Sequence, residues 1–155
     1  MKGTYTIIVD CGFEGYLTFG RLGRARMWRG LYLYTGSALG RGATSLERRL
    51  ERHGMRWKRR KWHIDYLTSK QGCLVSGAVY LASKRRLECK VNQAISKGLN
   101  LQPVLPKIGA SDCHCEGHLL GPEVQLSTVV TLRRLANVYR HFGSPRASLT
   151  VRGSD

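Results

Sequence analysis

Three stretches of the chain have the composition of β-strands. Each is rich in β-branched or aromatic residues, and they are residues 3–9, 30–36 and 74–82. In the second stretch a period of two places Leu31 and Leu33 on one face and Tyr32 and Tyr34 on the other. Between the first two strands, the glycines and arginines of residues 16–29 indicate one or two short strands joined by tight turns.

Helical periodicity follows in other segments. The predicted helices are residues 45–53, 84–97 and 127–142, with a short helical turn at 62–67. Thr44 or Ser45 is a suitable N-cap for the first helix and Gly54 ends it, while Gly98 ends the second. On the last helix Val129, Leu132, Ala136 and Tyr139 are predicted to lie on one side. We therefore expect an α+β fold with a small, mostly antiparallel central sheet of three or more strands, flanked by helices.

The length of 155 residues fits one domain, and 42% hydrophobic residues are enough for a buried core. We expect residues 1–120 to form this domain. Residues 121–155 are expected to form a C-terminal helical extension, loose after Gly143, that is not a separate domain. No apolar stretch is long enough to cross a membrane, and the first residues are too short and polar for a signal peptide, so a cytoplasmic protein is expected.

The charge is strongly positive. The chain has 26 lysines and arginines against 10 acidic residues, a formal net charge of +16, and 18 of the 26 are arginines. The planar guanidinium group of arginine binds phosphate through two hydrogen bonds. A nucleic-acid partner is therefore the expected reason for this excess.

One basic run lies directly after the first predicted helix. It contains Arg56, Lys58, Arg59, Arg60 and Lys61, with Trp57 among them. Such a run is often only a solvated surface, but here it is expected to follow a phosphate backbone, with the tryptophan stacking on a base or sugar. Nothing in the run suggests reading of base edges, so a preference for DNA structure over sequence is expected.

The helix at 45–53 turns two polar side chains toward the sheet. Arg49 and His53 share a face with two leucines, and the opposite face carries a solvated pattern of ion pairs: Glu47, Arg48, Glu51 and Arg52. Arg49 either binds an anion or extends to the edge of the core, and His53 is either a site residue or a satisfied core histidine. Glu88, at the border of the apolar stripe of the next helix, either neutralises an arginine or holds a divalent cation.

The five cysteines do not suggest a disulfide framework. Three in apolar surroundings, Cys11, Cys73 and Cys89, are expected to be buried thiols. Cys113, Cys115 and His118 could form part of a Zn²⁺ site, but the C-x-C spacing is tight for zinc and a metal-free packed turn is favoured.

Several motifs together resemble the GIY-YIG nuclease superfamily. They are Gly3-Thr4-Tyr5, Tyr34-Thr35-Gly36 with Ser37-Ala38, the segment from Glu47 to His53, and Glu88. The chain is closer still to a small prokaryotic branch of GIY-YIG-like proteins, through residues 36–40, 62–67, 86–89, 109–115 and 118–119. The resemblance extends from residue 3 to about residue 120. It departs from the pattern at Thr4 and Thr35 and in an insert around Arg21–Arg29, which would either clamp DNA or obstruct the site.

The resemblance implies a metal-dependent endonuclease that cuts DNA, in repair or in processing of branched, flapped or damaged duplexes. Tyr34 would be the general base or the residue that orients water, with Tyr5 in support. Arg49 would hold the scissile phosphate, and Glu88 would bind one Mg²⁺ or Mn²⁺. His53 would position the nucleophile.

Other possibilities remain open. His63 either reaches the active site, as a base or as a hydrogen-bond partner of a metal ligand, or only caps and packs its short helix. A non-catalytic nucleic-acid-binding module of the same fold is the alternative function. A homodimer or a partner protein could dock through residues 127–142.

Overall fold

The computed structural model describes residues 1–40, 45–110 and 115–150. The strands are β1 (Gly3–Cys11), β2 (Gly15–Thr18), β3 (Arg24–Met27), β4 (Gly30–Ala38), β5 (Cys73–Ala82), β6 (Leu119–Glu123) and β7 (Arg146–Leu149). The helices are α1 (Leu46–Gly54), α2 (Asp65–Thr68), α3 (Glu88–Leu99) and α4 (Thr128–Tyr139). Five strands form an antiparallel sheet in the order β6-β4-β1-β5-β7, and β2 pairs with β3 as a separate hairpin. The predicted α+β class is confirmed.

The central sheet buries both of its faces. The tyrosines of β4 pack with Tyr5, Ile7 and Val9 of β1 beneath α1, α2 and the hairpin. The leucines of β4 pack on the opposite face, against α3 and α4. The predicted alternation of leucine and tyrosine is thus confirmed, and it separates two hydrophobic cores.

Local hydrogen bonds decide where the helices begin and end. The Ser45 hydroxyl accepts a hydrogen bond from the Arg48 amide, so α1 begins as predicted. The predicted start of α3 at residue 84 is wrong, because the Ser83 hydroxyl accepts from the Arg85 amide and holds that segment in a turn. The helix also continues past Gly98, and Asn100 ends it in the left-handed conformation.

The C-terminal segment packs on the central sheet. The Thr6 hydroxyl hydrogen-bonds both the Tyr139 hydroxyl and the Thr35 hydroxyl, each at 2.7 Å, and so fastens α4 to the middle of the sheet. The inward side of α4 is formed by Thr131, Leu132, Leu135 and Tyr139. Val129, predicted to lie on the same side as Leu132 and Tyr139, is 43% exposed.

Two strands were absent from the sequence prediction. The tail expected to be loose contains β7, which pairs with β5 although all four of its residues are exposed. Backbone hydrogen bonds hold β7 in the sheet, and its sequence therefore has no hydrophobic pattern from which a strand could be predicted. The other missed strand, β6, contains Pro122, which an edge strand tolerates. The predicted boundary at residue 120 falls within this strand.

The cysteine prediction needs correction. Cys11 and Cys73 lie opposite each other on β1 and β5 and form a disulfide, where buried thiols were expected. Their pairing depends on the strand register, which brings together residues 62 positions apart in the chain. Cys89 and Cys115 do not belong to this pair. Among the described residues, no helix has the length and apolar character needed to cross a bilayer.

Candidate active site

A cleft of about 650 Å³ opens beside the end of β4. Four of the predicted catalytic side chains line it: Tyr34, Arg49, His63 and Glu88. They come from β4, from α1, from the turn before α2 and from the first residue of α3. The fold therefore brings together residues that are separated by up to 54 positions in the chain.

Sequence reasoning missed several other residues of the cleft wall. They are Trp62, Arg86, Gly109 and His118, and all four belong to segments that carry the resemblance. Gly109 has φ +71°, and a Cβ there would lie 2.8 Å from the ring of Tyr34. Only glycine suits this position, because the backbone both turns left-handed and passes directly over the tyrosine.

Arg49 is held on two sides. Its Nη1 donates to the Ser37 carbonyl oxygen at 2.6 Å, and its guanidinium carbon lies 4.7 Å from the centre of the Trp62 ring. Its Nε donor has no hydrogen-bond partner among the described residues. The geometry leaves a fixed cation with donor capacity at the cleft, as anion binding requires.

Tyr5 and His53 lie behind the cleft and do not line it. The Tyr5 hydroxyl is 2.7 Å from Nε2 of His53, and both side chains are almost completely buried. A Cβ at Gly36 would lie 2.6 Å from this hydroxyl, so the glycine allows the phenol to reach the histidine. His53 therefore supports Tyr5 and does not face the place where a nucleophile would enter.

The two phenols keep their protons at neutral pH. Burial raises the pKa of Tyr5 to about 12, although the positive charge of the nearby Arg49 favours ionisation. Burial also raises the pKa of Tyr34 well above its ordinary value, and the neighbouring Tyr5 adds to the effect. Of the two roles expected for Tyr34, orienting a water molecule fits this environment better than acting as a base.

Glu88 is the one acidic residue among the described residues that line the cleft. It occupies the first turn of α3, where the helix dipole favours a negative charge. Three cationic residues, Arg49, Lys61 and Arg86, line the same cleft. A single carboxylate suits Mg²⁺ or Mn²⁺, because Mg²⁺ usually binds one or two carboxylates and completes its shell with water and substrate phosphate oxygens. The donor set therefore fits the expected ion.

A buried ion pair fixes the basic segment beside the cleft. Both carboxylate oxygens of Asp65 accept hydrogen bonds from Arg52, at 2.8 and 2.9 Å. The backbone amides of Lys61 and Trp62 donate to the same carboxylate at 2.8 and 2.9 Å. The prediction that Arg52 joins only solvated ion pairs is wrong, because the fold brings Asp65 to α1.

Lys58 also differs from its expected role. Its side chain is 3% exposed, and its amine donates to the carbonyl oxygens of Arg52 and His53 at the end of α1. The Arg52 carbonyl also accepts from the Met55 amide, and the buried cation adds to this capping of the helix end. The exposed strip predicted to contact phosphate therefore consists of Arg56, Arg59, Arg60 and Lys61.

The arginine-rich insert forms the β2–β3 hairpin. Arg24 lies over the ring of Tyr16 at 4.5 Å, and Arg26 lies over that of Trp28 at 4.4 Å. Both aromatic rings are exposed. None of the residues around Arg21–Arg29 lines the cleft, so of the two expected effects the obstruction of the site has no support.

The structure describes two of the three residues that were considered as zinc ligands. Cys113 lies outside the described residues. Cys115 and His118 are buried beside a third candidate, Cys89 of α3, which sequence reasoning treated only as a buried thiol. The sequence around Cys89 does not indicate that it belongs to this cluster, because Cys115 and His118 are 26 and 29 positions away.

The buried histidine makes a prediction about acid stability. Burial lowers the pKa of His53 from 6.5 to about 3, and the charge of Lys58 acts in the same direction. As the pH falls below 6.5 the unfolded chain binds a proton that the folded chain refuses. The free energy of unfolding should therefore fall by up to about 1.4 kcal/mol per pH unit through this window.

Denaturant unfolding at a series of pH values checks this expectation with the variant H53Q. The variant should have a shallower loss of stability between pH 6.5 and about 4, because its side chain does not titrate. The exposed His141 provides the matched control, and H141Q should keep the wild-type slope. An unchanged slope in H53Q would contradict the assignment of His53 as a buried neutral imidazole.

The comparison with protein families covers almost the whole chain. The model of a family described as "Domain of unknown function DUF123" matches residues 4–142. No curated protein and no solved structure matches the chain. Because the matched segment includes the cleft, the hairpin and α4, the chain belongs to the DUF123 family.

Proposed function

We propose that this protein is a metal-dependent endonuclease that hydrolyses phosphodiester bonds in DNA, in the repair or processing of irregular DNA structures. One observation carries the proposal. Tyr34, Arg49 and Glu88, a phenol, a guanidinium and an acid from three distant elements, line one cleft in a chain of net charge +16. The family match neither supports nor opposes this activity.

The cationic side chains of the cleft would bind the scissile phosphate. Arg49 is fixed by the Ser37 carbonyl and the Trp62 ring, so little reorganisation is needed when negative charge increases in the transition state. Lys61 and Arg86 lie on the same wall and would neutralise the neighbouring phosphates. Arg49 is therefore the residue expected to bind the transition state more tightly than the ground state.

Attack on phosphorus needs a water molecule in line with the leaving oxygen. The protonated hydroxyl of Tyr34 would orient this water by a hydrogen bond, with Gly109 holding the ring in place. His63 lines the cleft and offers an imidazole to accept the proton of the attacking water. Tyr5 and His53 would support Tyr34 from the buried side, where Tyr5 is 6.5 Å from it between ring centres.

Glu88 would hold the Mg²⁺ or Mn²⁺ ion. When bound, the ion polarises the phosphate and stabilises the charge of the leaving oxygen. Without a cation the carboxylate of Glu88 would repel a phosphate entering the cleft. A purely binding protein gains nothing from an acid in this position, and Glu88 therefore favours the nuclease over the non-catalytic binding module.

The surroundings of the cleft favour recognition of DNA shape. The exposed cations at positions 56 and 59–61 follow α1 directly, and Trp57 is 87% exposed. The hairpin adds exposed arginines and aromatic rings on the same side of the sheet. Such groups bind phosphates and stack on unpaired bases, which suits flapped, branched or damaged duplexes.

Incubation with plain, flapped and branched duplex DNA in Mg²⁺ or Mn²⁺ tests the proposal. Wild-type protein should nick at least one irregular substrate, and a chelator should abolish cleavage because the ion supplies charge stabilisation. Binding measured over a series of salt concentrations should weaken as salt rises. Salt-sensitive binding without cleavage of any substrate would contradict the nuclease and leave the binding module as the function.

A further inference from the structure

We propose that Cys89, Cys115 and His118 bind a Zn²⁺ ion that fastens the segment before β6 to the first turn of α3. This site goes beyond the proposed nuclease activity and does not depend on it. The two proposals differ in the metal, in the donor atoms and in the role, because Glu88 would hold a reactive ion through oxygen. The zinc would be structural.

The distances among the three side chains match a zinc site. Their ligand atoms all lie within 4.8 Å of one another, and Nε2 of His118 is 3.6 Å from Sγ of Cys89. Tetrahedral zinc has bonds of about 2.3 Å to sulfur and about 2.0 Å to nitrogen, which places neighbouring ligand atoms about 3.5 Å apart. Small adjustments of side-chain torsions would therefore complete the coordination.

Charge and burial favour this ion. Cys115 and His118 are buried and Cys89 is half-buried. The two negative charges of the thiolates balance the charge of Zn²⁺, and a neutral imidazole adds none, so the complete site carries no net charge into the protein interior. Thiolates also select zinc over Mg²⁺ and Mn²⁺, which prefer oxygen ligands. Three protein ligands leave the fourth position of the tetrahedron to a water molecule or another donor.

The backbone around the ligands is already fixed. Asn92 of α3 donates through Nδ2 to the Gly117 carbonyl at 2.9 Å, directly beside His118. The His118 amide donates to the Ile108 carbonyl at 2.7 Å, and the His118 carbonyl accepts from the Thr35 amide of β4. These contacts hold the ligands near one another, so binding requires little ordering.

The position explains what the metal would do for the protein. Cys89 follows Glu88 on α3, and His118 also lines the cleft. A zinc ion here would join the two sides of the cleft wall that carry Glu88 and Gly109. It would therefore stabilise the arrangement of the site without touching the substrate.

Metal analysis of the protein, expressed with zinc and purified without chelator, tests the proposal. Wild-type protein should contain about one zinc per chain, and removal of zinc should lower its melting temperature. Substitution by Co²⁺ should give the intense near-ultraviolet band of thiolate coordination. C89S and C115S should each lose about 100-fold or more in zinc affinity.

Cys11 and Cys73 provide the control for this experiment. The double variant C11S/C73S removes the disulfide pair and should keep its zinc, because neither residue belongs to the cluster. Wild-type protein without stoichiometric zinc would overturn the proposal, as would full zinc content in both C89S and C115S. A disulfide between Cys89 and Cys115, detected by mass spectrometry of freshly purified protein, would overturn it as well.

Discussion

Replacement of Arg49 by alanine is expected to lower the rate of DNA cleavage by about 100-fold or more and to leave DNA binding largely intact. The variant removes the guanidinium that the Ser37 carbonyl and the Trp62 ring hold at the cleft. Many other cations remain for binding, but none is fixed in the same place. R49K should not restore the rate, because an ammonium group lacks the planar fork. Single-turnover cleavage and equilibrium DNA binding, measured separately, check the two parts of this expectation.

Replacement of Glu88 is expected to lower the cleavage rate by a similar factor. E88Q keeps the shape of the side chain but loses the charge that would hold the metal, and cleavage should again fall by about 100-fold or more. R48A is the control, since Arg48 lies exposed on the same helix as Arg49 and does not line the cleft. Wild-type cleavage rates in both R49A and E88Q would show that the site is assigned to the wrong residues.

Replacement of Asp65 by alanine is expected to lower the free energy of unfolding by about 3 to 5 kcal/mol. Burial opposes ionisation of this carboxyl, but the hydrogen bonds from Arg52, Trp62 and Lys61 more than offset it and hold its pKa below the ordinary value. Without the carboxylate, the half-buried Arg52 and the buried Lys58 lose their counter-ion. Chemical denaturation at neutral pH measures the loss.

The control for Asp65 lies on α1. Glu51 is exposed, and E51A should change the free energy of unfolding by less than about 0.5 kcal/mol. A loss below about 1 kcal/mol in D65A would mean that the buried ion pair contributes little. Because the amides of Lys61 and Trp62 bind the same carboxylate, Asp65 is also expected to position the segment that carries His63 into the cleft.

The side-chain pattern of the strands was predicted most accurately from the sequence. The alternation of leucine and tyrosine in β4 correctly separated the two faces of the sheet, and Ser45 correctly marked the start of α1. The inward orientation of Arg49 and His53 also followed from helical periodicity. These features are local, since the side-chain direction within one element depends only on its period.

The misplaced residues have a common cause. Arg52 lies on a helix face and Lys58 in a basic run, and both patterns are typical of solvated surfaces. Only the packing of α2 against α1 brings the carboxylate of Asp65 close to both side chains. Similarly, β7 has no buried residue. It pairs with β5 because no other strand of the sheet occupies that side of β5.

The sequence by itself determined the class of fold, the positive charge and the orientation of side chains within each helix and strand. Tertiary structure alone decided that Tyr34, Arg49, His63 and Glu88 share one cleft, that His53 lies behind Tyr5, and that Cys89 meets Cys115 and His118. The physical reason is that periodicity fixes directions along one element, whereas contact between elements depends on how their buried faces pack together.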